Sequence, residues 1–239
     1  LRAGVLDEAG LVARTNDRIR DYLANPQALT ATTAILAERY WDSQDYNRLP
    51  YVKGALTALL MDLRIRHASG GARTLDDYVR AVFARTEPYR PADLRGTLEA
   101  TTEMDWAAFF SAYVDGAGEL PVLEVCAEVG MACAPGTVEL YQRGFVVDGE
   151  NIVREGVTVT SLVAGSAAER AGLRVGDVIR DSEIQRDTVF AARLEVERAG
   201  QRMMIEFRPV RELPVPRILP SEPTLRVLNA LRTSSPPQR

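Results

Sequence analysis

The hydrophobic period of this chain changes once, at Pro121, and no other feature constrains the fold as strongly. Before that point apolar residues recur every three or four positions, the spacing of helices that bury one face. After it they come in short alternating runs, the spacing of strands. A chain of 239 residues is long enough for one large or two ordinary domains. The change of period argues for two.

In the first part, Asp7 reads as the N-cap of a helix with Leu11, Thr15, Ile19, Tyr22 and Leu23 on one side, ended by Asn25-Pro26. Residues 28–41 suggest a weaker helix, since threonine lowers the propensity, and the polar run 42–50 reads as a loop. From Tyr51 onward, Val52, Ala55, Leu56, Leu59, Leu60 and Leu63 describe one broad buried face, with Asp62 and Arg66 able to pair on the other side. Ser69-Gly70-Gly71 stops this helix. Thr74 and Asp77 then form a capping box for the next, whose stripe Leu75, Tyr78, Val79, Val82 and Phe83 is expected to be buried. Two more helices are expected at 91–101 and 105–114, the second with Trp106, Phe109, Phe110 and Tyr113 on its apolar side.

Past Pro121 a short helical or irregular piece (122–130) leads to strand-like runs at 137–147, 157–163, 176–180, 192–198 and 202–208. The last two read as a hairpin turning at Ala199-Gly200. Prolines 214, 216, 220, 223, 236 and 237 then mark a tail, with room for one short helix at 222–232. The expected fold class is α + β and multidomain: an all-helical subdomain over 1–120, a small β-rich domain over 121–211, and a Pro-rich tail over 212–239.

Composition narrows the function by exclusion. A net charge of −4 gives no clustered basic face for nucleic acid, and no run reaches the length of a membrane span. Leu1 reads as a processing or expression boundary, so the lack of an opening signal peptide carries no information about compartment. The chain has 28 arginines but one lysine, Lys53, and one histidine, His67. A Ser-His-Asp triad would have to run through His67, which follows Arg64 and Arg66 at a helix end where histidine ordinarily completes the last turn. Zinc sites built from several histidines or thiolates are excluded by count. Asp76 and Asp77 fall in a first helical turn, where acidic residues suit the helix dipole. Cys126 and Cys133, seven apart, either close a small disulfide, which would favour an oxidising compartment, or are two small core residues. Residue types alone give no catalytic constellation.

Tyr51-Val52-Lys53-Gly54-Ala55-Leu56, then Leu60-Met61-Asp62-Leu63-Arg64-Ile65-Arg66, then Ser69-Gly70-Gly71 and Thr74-Leu75-Asp76-Asp77, resemble in order and spacing a block of the glycyl aminopeptidase family of zinc metallopeptidases. Leu1-Arg2-Ala3-Gly4 resembles the start of the corresponding region. Phe109-Phe110 and Tyr113-Val114-Asp115-Gly116, leading to Leu120-Pro121, resemble its last helix. The resemblance implies a thermolysin-like helical part and, in the parent enzyme, zinc held by two histidines of an H-E-x-x-H helix and a later glutamate. Those residues have no counterparts here. The implied cofactor is therefore none in this chain and zinc in the full-length parent. The implied catalytic residue is Tyr51, whose phenol would donate a hydrogen bond to the oxyanion of the tetrahedral intermediate. Lys53 and Gly54 read as structural, the glycine permitting close backbone approach and the lysine bonding a neighbouring loop.

Gly156-Val157 to Leu162, Gly165-Ser166-Ala167-Ala168, Ala171-Gly172-Leu173 and Gly176-Asp177-Val178-Ile179 resemble a PDZ domain, the module that follows in the same family. Such domains add an extended C-terminus to a strand edge and hold its carboxylate in a loop of backbone amides. Here that loop would be Tyr141 to Val146, with Arg143, Gly144, Phe145 and Val146 as the peptide-binding residues. It lacks the usual second glycine, and the segment from Asp181 to Phe190 is too short and polar to rebuild the groove-forming helix. The expectation is a degenerate PDZ domain.

Together these features imply the C-terminal part of a zinc metallo-aminopeptidase, inactive by itself, whose partners are a missing N-terminal catalytic half and possible protein or peptide C-termini. The alternative is a non-catalytic, PDZ-containing interaction or scaffold protein derived from that family. The resemblance implies a bacterial source and leans to the periplasm or export.

Overall fold

The computed structural model describes residues 6–84, 90–149 and 156–232. Leu1 to Gly4, Pro236 and Pro237 lie outside them. The architecture is α + β, a helical part followed by a β-rich part resembling a PDZ domain. The chain divides into one compact unit of Leu1–Gly136 with Val215–Arg239 and a second of Thr137–Pro214. Residues 121–136 and the stretch from Val215 thus belong with the helices, whereas the sequence suggested boundaries at 120 and 211.

The helical unit opens with α1 (Glu8–Ala24), capped as expected by Asp7, whose carboxylate accepts from Gly10 N–H at 2.7 Å. The expected helix at 28–41 shrinks to α2 (Thr33–Glu38), capped by Thr32. The expected loop at 42–50 is instead the first two turns of α3 (Gln44–Ala68), which runs through Pro50. The polar composition concealed Tyr46 and Leu49, both buried, which continue the apolar face one and a half turns towards the N-terminus. Packing of that face outweighs the cost of a proline inside a helix. Gly70 and Gly71, at φ +59° and +86°, end α3, and the Gly71 N–H reaches back to Arg66 O at 2.7 Å.

Asp62 does more than pair with Arg66. One oxygen accepts from Arg66 Nε at 3.0 Å, and the other accepts the N–H of Leu75 at 2.8 Å, pinning the start of α4 (Leu75–Phe83) to α3. The Thr74–Asp77 capping box is formed. The stripe of α4 departs from expectation: none of its residues is buried, and Phe83 is 84% exposed. Helix α5 (Pro91–Thr102) and α6 (Ala107–Phe109) follow. α6 widens into a π-helical turn over Phe110–Val114, closed by Asp115 N–H to Phe110 O at 2.8 Å. Trp106, fully buried, donates Nε1–H to Thr102 Oγ1 at 3.0 Å and meets Phe109 edge-on. With Met61, Ile65 and Leu98 they form one core cluster of this unit. Helix α7 (Val122–Val129) ends at Gly130, and a disulfide joins its Cys126 to Cys133 of the next strand.

Strands β1 (Cys133–Tyr141) and β7 (Val210–Ile218) pair with each other, and the chain passes between the units within them. The C-terminal segment is therefore not a tail. In a strand alternate N–H groups point opposite ways. Leu219 N–H meets Ala132 O at 2.8 Å, while Ile218 N–H turns the other way to Asn16 Oδ1 at 2.9 Å. Pro214 and Pro216 share the phase of Ile218, so the ladder to β1 needs no N–H from them. Helix α9 (Glu222–Asn229) and its 3-10 extension (Ala230–Arg232) bury Thr224, Leu228 and Leu231 in the helical unit.

The second unit is a five-stranded sheet in the order β2-β3-β4-β5-β6, formed by Phe145–Val147, Val157–Leu162, Val178–Glu183, Ala192–Arg198 and Gln201–Phe207. Its neighbouring strands are antiparallel. The short helix α8 (Ala167–Arg170) and Leu173 close a core with Phe145, Val159, Ile179, Leu194 and Val196. The single run expected at 137–147 breaks into β1 and β2 at Gln142-Arg143-Gly144. The hairpin turn falls at Ala199-Gly200 as expected, both residues having positive φ.

Candidate functional site

Each unit carries one candidate. In the helical unit, α2, α3, α4, α5 and the π-helical turn surround an open groove of about 540 Å³. Its floor on α3 is Pro50, Lys53, Gly54, Thr57, Ala58 and Met61, the i, i+3, i+4, i+7 set of a second helical face. Leu36, Leu75, Leu94, Phe110 and Val114 make the walls apolar. The π-helical turn belongs to the wall, and wide helical turns of this kind recur at functional sites.

Tyr51, 69% exposed, does not line this groove itself but meets its edge through Tyr40. Its hydroxyl lies 3.0 Å from that of Tyr40, a groove-lining residue just past α2. That hydrogen bond, with some burial, holds the Tyr40 phenol above its ordinary range. Trp41, edge-on to Tyr40, is 88% exposed. The rim is therefore aromatic and largely uncovered.

The Lys53 ammonium leaves the groove. The residue is 5% exposed and donates Nζ–H to Gly116 O at 2.8 Å, tying α3 to the loop after the π-helical turn. Burial lowers its pKa. The loop accepts no other residue at 116: a Cβ there would lie 2.5 Å from Ser111 O. Tyr22 Oη reaches Gly118 O at 3.3 Å from the other side, and burial raises that phenol to about 12. The expected loop partner of Lys53 is thus Gly116. Gly54, by contrast, has nothing within 4 Å of a built Cβ and opens onto the groove. His67 lies at the exposed end of α3, away from Tyr51.

Among the described residues no group of three or more His, Cys, Asp or Glu could hold a metal ion. The described residues therefore do not fit the zinc that the aminopeptidase resemblance implies.

In the second unit the candidate is the open edge of β2. Val163 N–H donates to Gly144 O at 2.8 Å, which makes Phe145–Leu162 the pair without mutual bonds. The Phe145 N–H and C=O therefore face away from β3, towards the edge that an added strand would use. That carbonyl is already engaged: Arg143 Nε donates to it at 2.9 Å, with the guanidinium over the Phe145 ring at 4.9 Å. Gly144, at φ +85°, is required, since a Cβ would lie 2.8 Å from Ser166 Cβ. Phe145 is buried in the core, so its side chain cannot contact a ligand, while Val146 is exposed. Residues 184–191, where a groove helix would stand, form turns organised by Asp187, which accepts from Val189 and Phe190 N–H.

Sequence reasoning overlooked the best-anchored polar group of this unit. Asp177, 1% exposed, accepts two bonds from Arg198, both at 2.7 Å, and one from Arg174 N–H at 2.8 Å. Burial pushes its carboxyl up, but these bonds prevail and hold it below the ordinary range. The signal was the Gly-Asp pair of the PDZ pattern, which says nothing about an arginine twenty-one residues later.

Residues 136–181 match the PDZ domain family. No curated protein matches the chain. Among solved structures, an aminopeptidase N family protein from Idiomarina loihiensis is similar at a TM-score of 0.55 and 15% identity, over 95% of this chain and 45% of that one. The likeness is one of fold. This chain spans less than half the length of that neighbour.

Proposed function

We propose that this chain is the C-terminal part of a zinc metallo-aminopeptidase of the glycyl aminopeptidase type. The observation that carries the reading is Tyr51 at the rim of a groove that is apolar, aromatic at its edge and open to solvent. A neighbouring catalytic half would cover such a surface, and the exposed Phe83 and Val79 of α4 are a second stretch fit to be covered. In this reading the zinc, its ligands and the activated water belong to that half. The contribution of this chain is a wall for the substrate and the Tyr51 hydroxyl. A phenol needs no change of charge to donate to an oxyanion, and it supports hydrolysis only if aimed where that charge develops.

The reading makes this chain by itself inactive towards glycyl and alanyl anilides. It is tested first by the coding sequence upstream of Leu1, which should contain H-E-x-x-H and a later glutamate. The corresponding full-length protein should hydrolyse glycyl anilides, and Tyr51→Phe should lower kcat about 100-fold or more. Stoichiometric zinc and turnover in the present chain, or a full-length protein indifferent to Tyr51→Phe, would falsify it. The disulfide supports an oxidising compartment, the periplasm or beyond.

The exposed edge of β2 favours a second reading, a non-catalytic interaction protein that takes chain termini at that edge. Arg143 on the Phe145 carbonyl and the missing helix speak against it. A C-terminal peptide array decides: clear sequence preference, abolished by a carboxamide end, would establish the groove.

A further inference from the structure

Tyr51 stands on a helix with most of its side chain in solvent, so packing does little to choose its direction. One contact does choose it, the 3.0 Å approach of the Tyr40 hydroxyl. We propose that Tyr40 is a positioning residue for Tyr51, its hydroxyl donating to the Tyr51 oxygen so that the Tyr51 proton remains available for a developing oxyanion. This rests on the reading of Tyr51 given above.

The geometry accommodates that polarity. At 3.0 Å either hydroxyl can donate, and the bond raises the Tyr40 phenol. Tyr40 is also the better fixed of the two: it lines the groove wall and stands edge-on to Trp41 at 4.8 Å. A donor held in the groove wall behind an exposed one limits the directions in which the second can point. Finally, a hydroxyl that accepts one hydrogen bond becomes a stronger donor in the next. The chain Tyr40 O–H to Tyr51 O, then Tyr51 O–H to the oxyanion, uses each phenol once as donor and leaves no proton unaccounted for. Any alternative in which Tyr51 donates to Tyr40 uses up the proton that the reaction needs.

The pair is tested in the present chain by following the ring Cζ resonances of 13C-tyrosine against pH. Tyr40 should titrate above an ordinary phenol in the wild type and fall back in Tyr51→Phe; an unchanged Tyr40 titration would show that the bond does not exist in solution and overturn the proposal. In the full-length protein, Tyr40→Phe keeps the ring and its packing, so the melting temperature should hold. Its kcat should fall about two- to tenfold, the value of one neutral hydrogen bond, with KM unchanged. A merely structural role would move stability and KM together. Wild-type kcat in Tyr40→Phe beside a crippled Tyr51→Phe overturns the positioning role and leaves that of Tyr51 intact. Full activity in both variants overturns the reading of Tyr51, and the positioning role with it, even where the titration shows the bond.

Discussion

Asp177 and Arg198 form the pair on which single-residue changes should tell most. The carboxylate is buried and bidentately held, so removing the arginine leaves an uncompensated charge in the core. Arg198→Met should lower the urea midpoint of the β unit, and Asp177→Asn should lower it less, because an amide keeps part of the geometry without the charge. The sign with pH follows from the lowered native pKa of Asp177. The stabilisation is complete above the ordinary carboxylate range and is lost as pH falls through the lower native value. The acid side of the melting curve should therefore flatten in Asp177→Asn. Tyr22 in the helical unit gives the opposite slope at alkaline pH. Its native value is about 12 against an ordinary 10.0, so the unfolded chain releases the proton first. Stability of that unit should fall from pH 10 towards 12, less steeply in Tyr22→Phe, as read from thermal melts of the two proteins.

At the scale of elements, the disulfide and one glycine carry the sharper expectations. Cys126–Cys133 fastens the end of α7 to the start of β1 across a loop of seven positions. By chain entropy such a closure contributes about 2–3 kcal/mol, so reduction, or the double change to serine, should lower the stability of the helical unit by that amount. Gly144→Ala combines a left-handed backbone with a contact of 2.8 Å at Ser166 and should cost about 3 kcal/mol in the β unit. How far elements could be foreseen depended on how local their causes are. Asp7, the Thr74–Asp77 box, Gly70-Gly71 and Ala199-Gly200 act within five residues, and each was legible. The start of α3 was not, because its polar residues face solvent and it is held by the buried Tyr46 and Leu49 and by Asn25 Nδ2–H donating to Asp45 O. Nor was the exposure of α4: Leu75 and Tyr78 pack against the core cluster, but Val79 and Phe83 of the same apolar stripe are exposed.

For the whole molecule, the C-terminal segment is a strap of the helical unit. Arg66 donates Nη1–H to Ala230 O at 2.9 Å, Ala132 N–H reaches Thr224 Oγ1 at 3.0 Å, and Arg232 pairs with Glu8. A chain ending at Leu219 exposes the seats of Leu228 and Leu231, worth about 2 kcal/mol each. It should lose about 4 kcal/mol in the helical unit and leave the β unit unchanged, measurable by hydrogen exchange of the two sets of amides.

Period, caps and turn residues are properties of neighbours in sequence, and from them the chain alone determined that helices precede a β-rich part; Tyr51 was singled out by the family resemblance and not by any period. The tertiary structure decided what depends on distant partners. It returned the proline-bearing C-terminus to the helices, joined Asp177 to Arg198, seated Lys53 on Gly116, and set Tyr40 behind Tyr51. Such contacts leave no period to read, because each is fixed by the packing of whole elements and not by the spacing of residues along one of them.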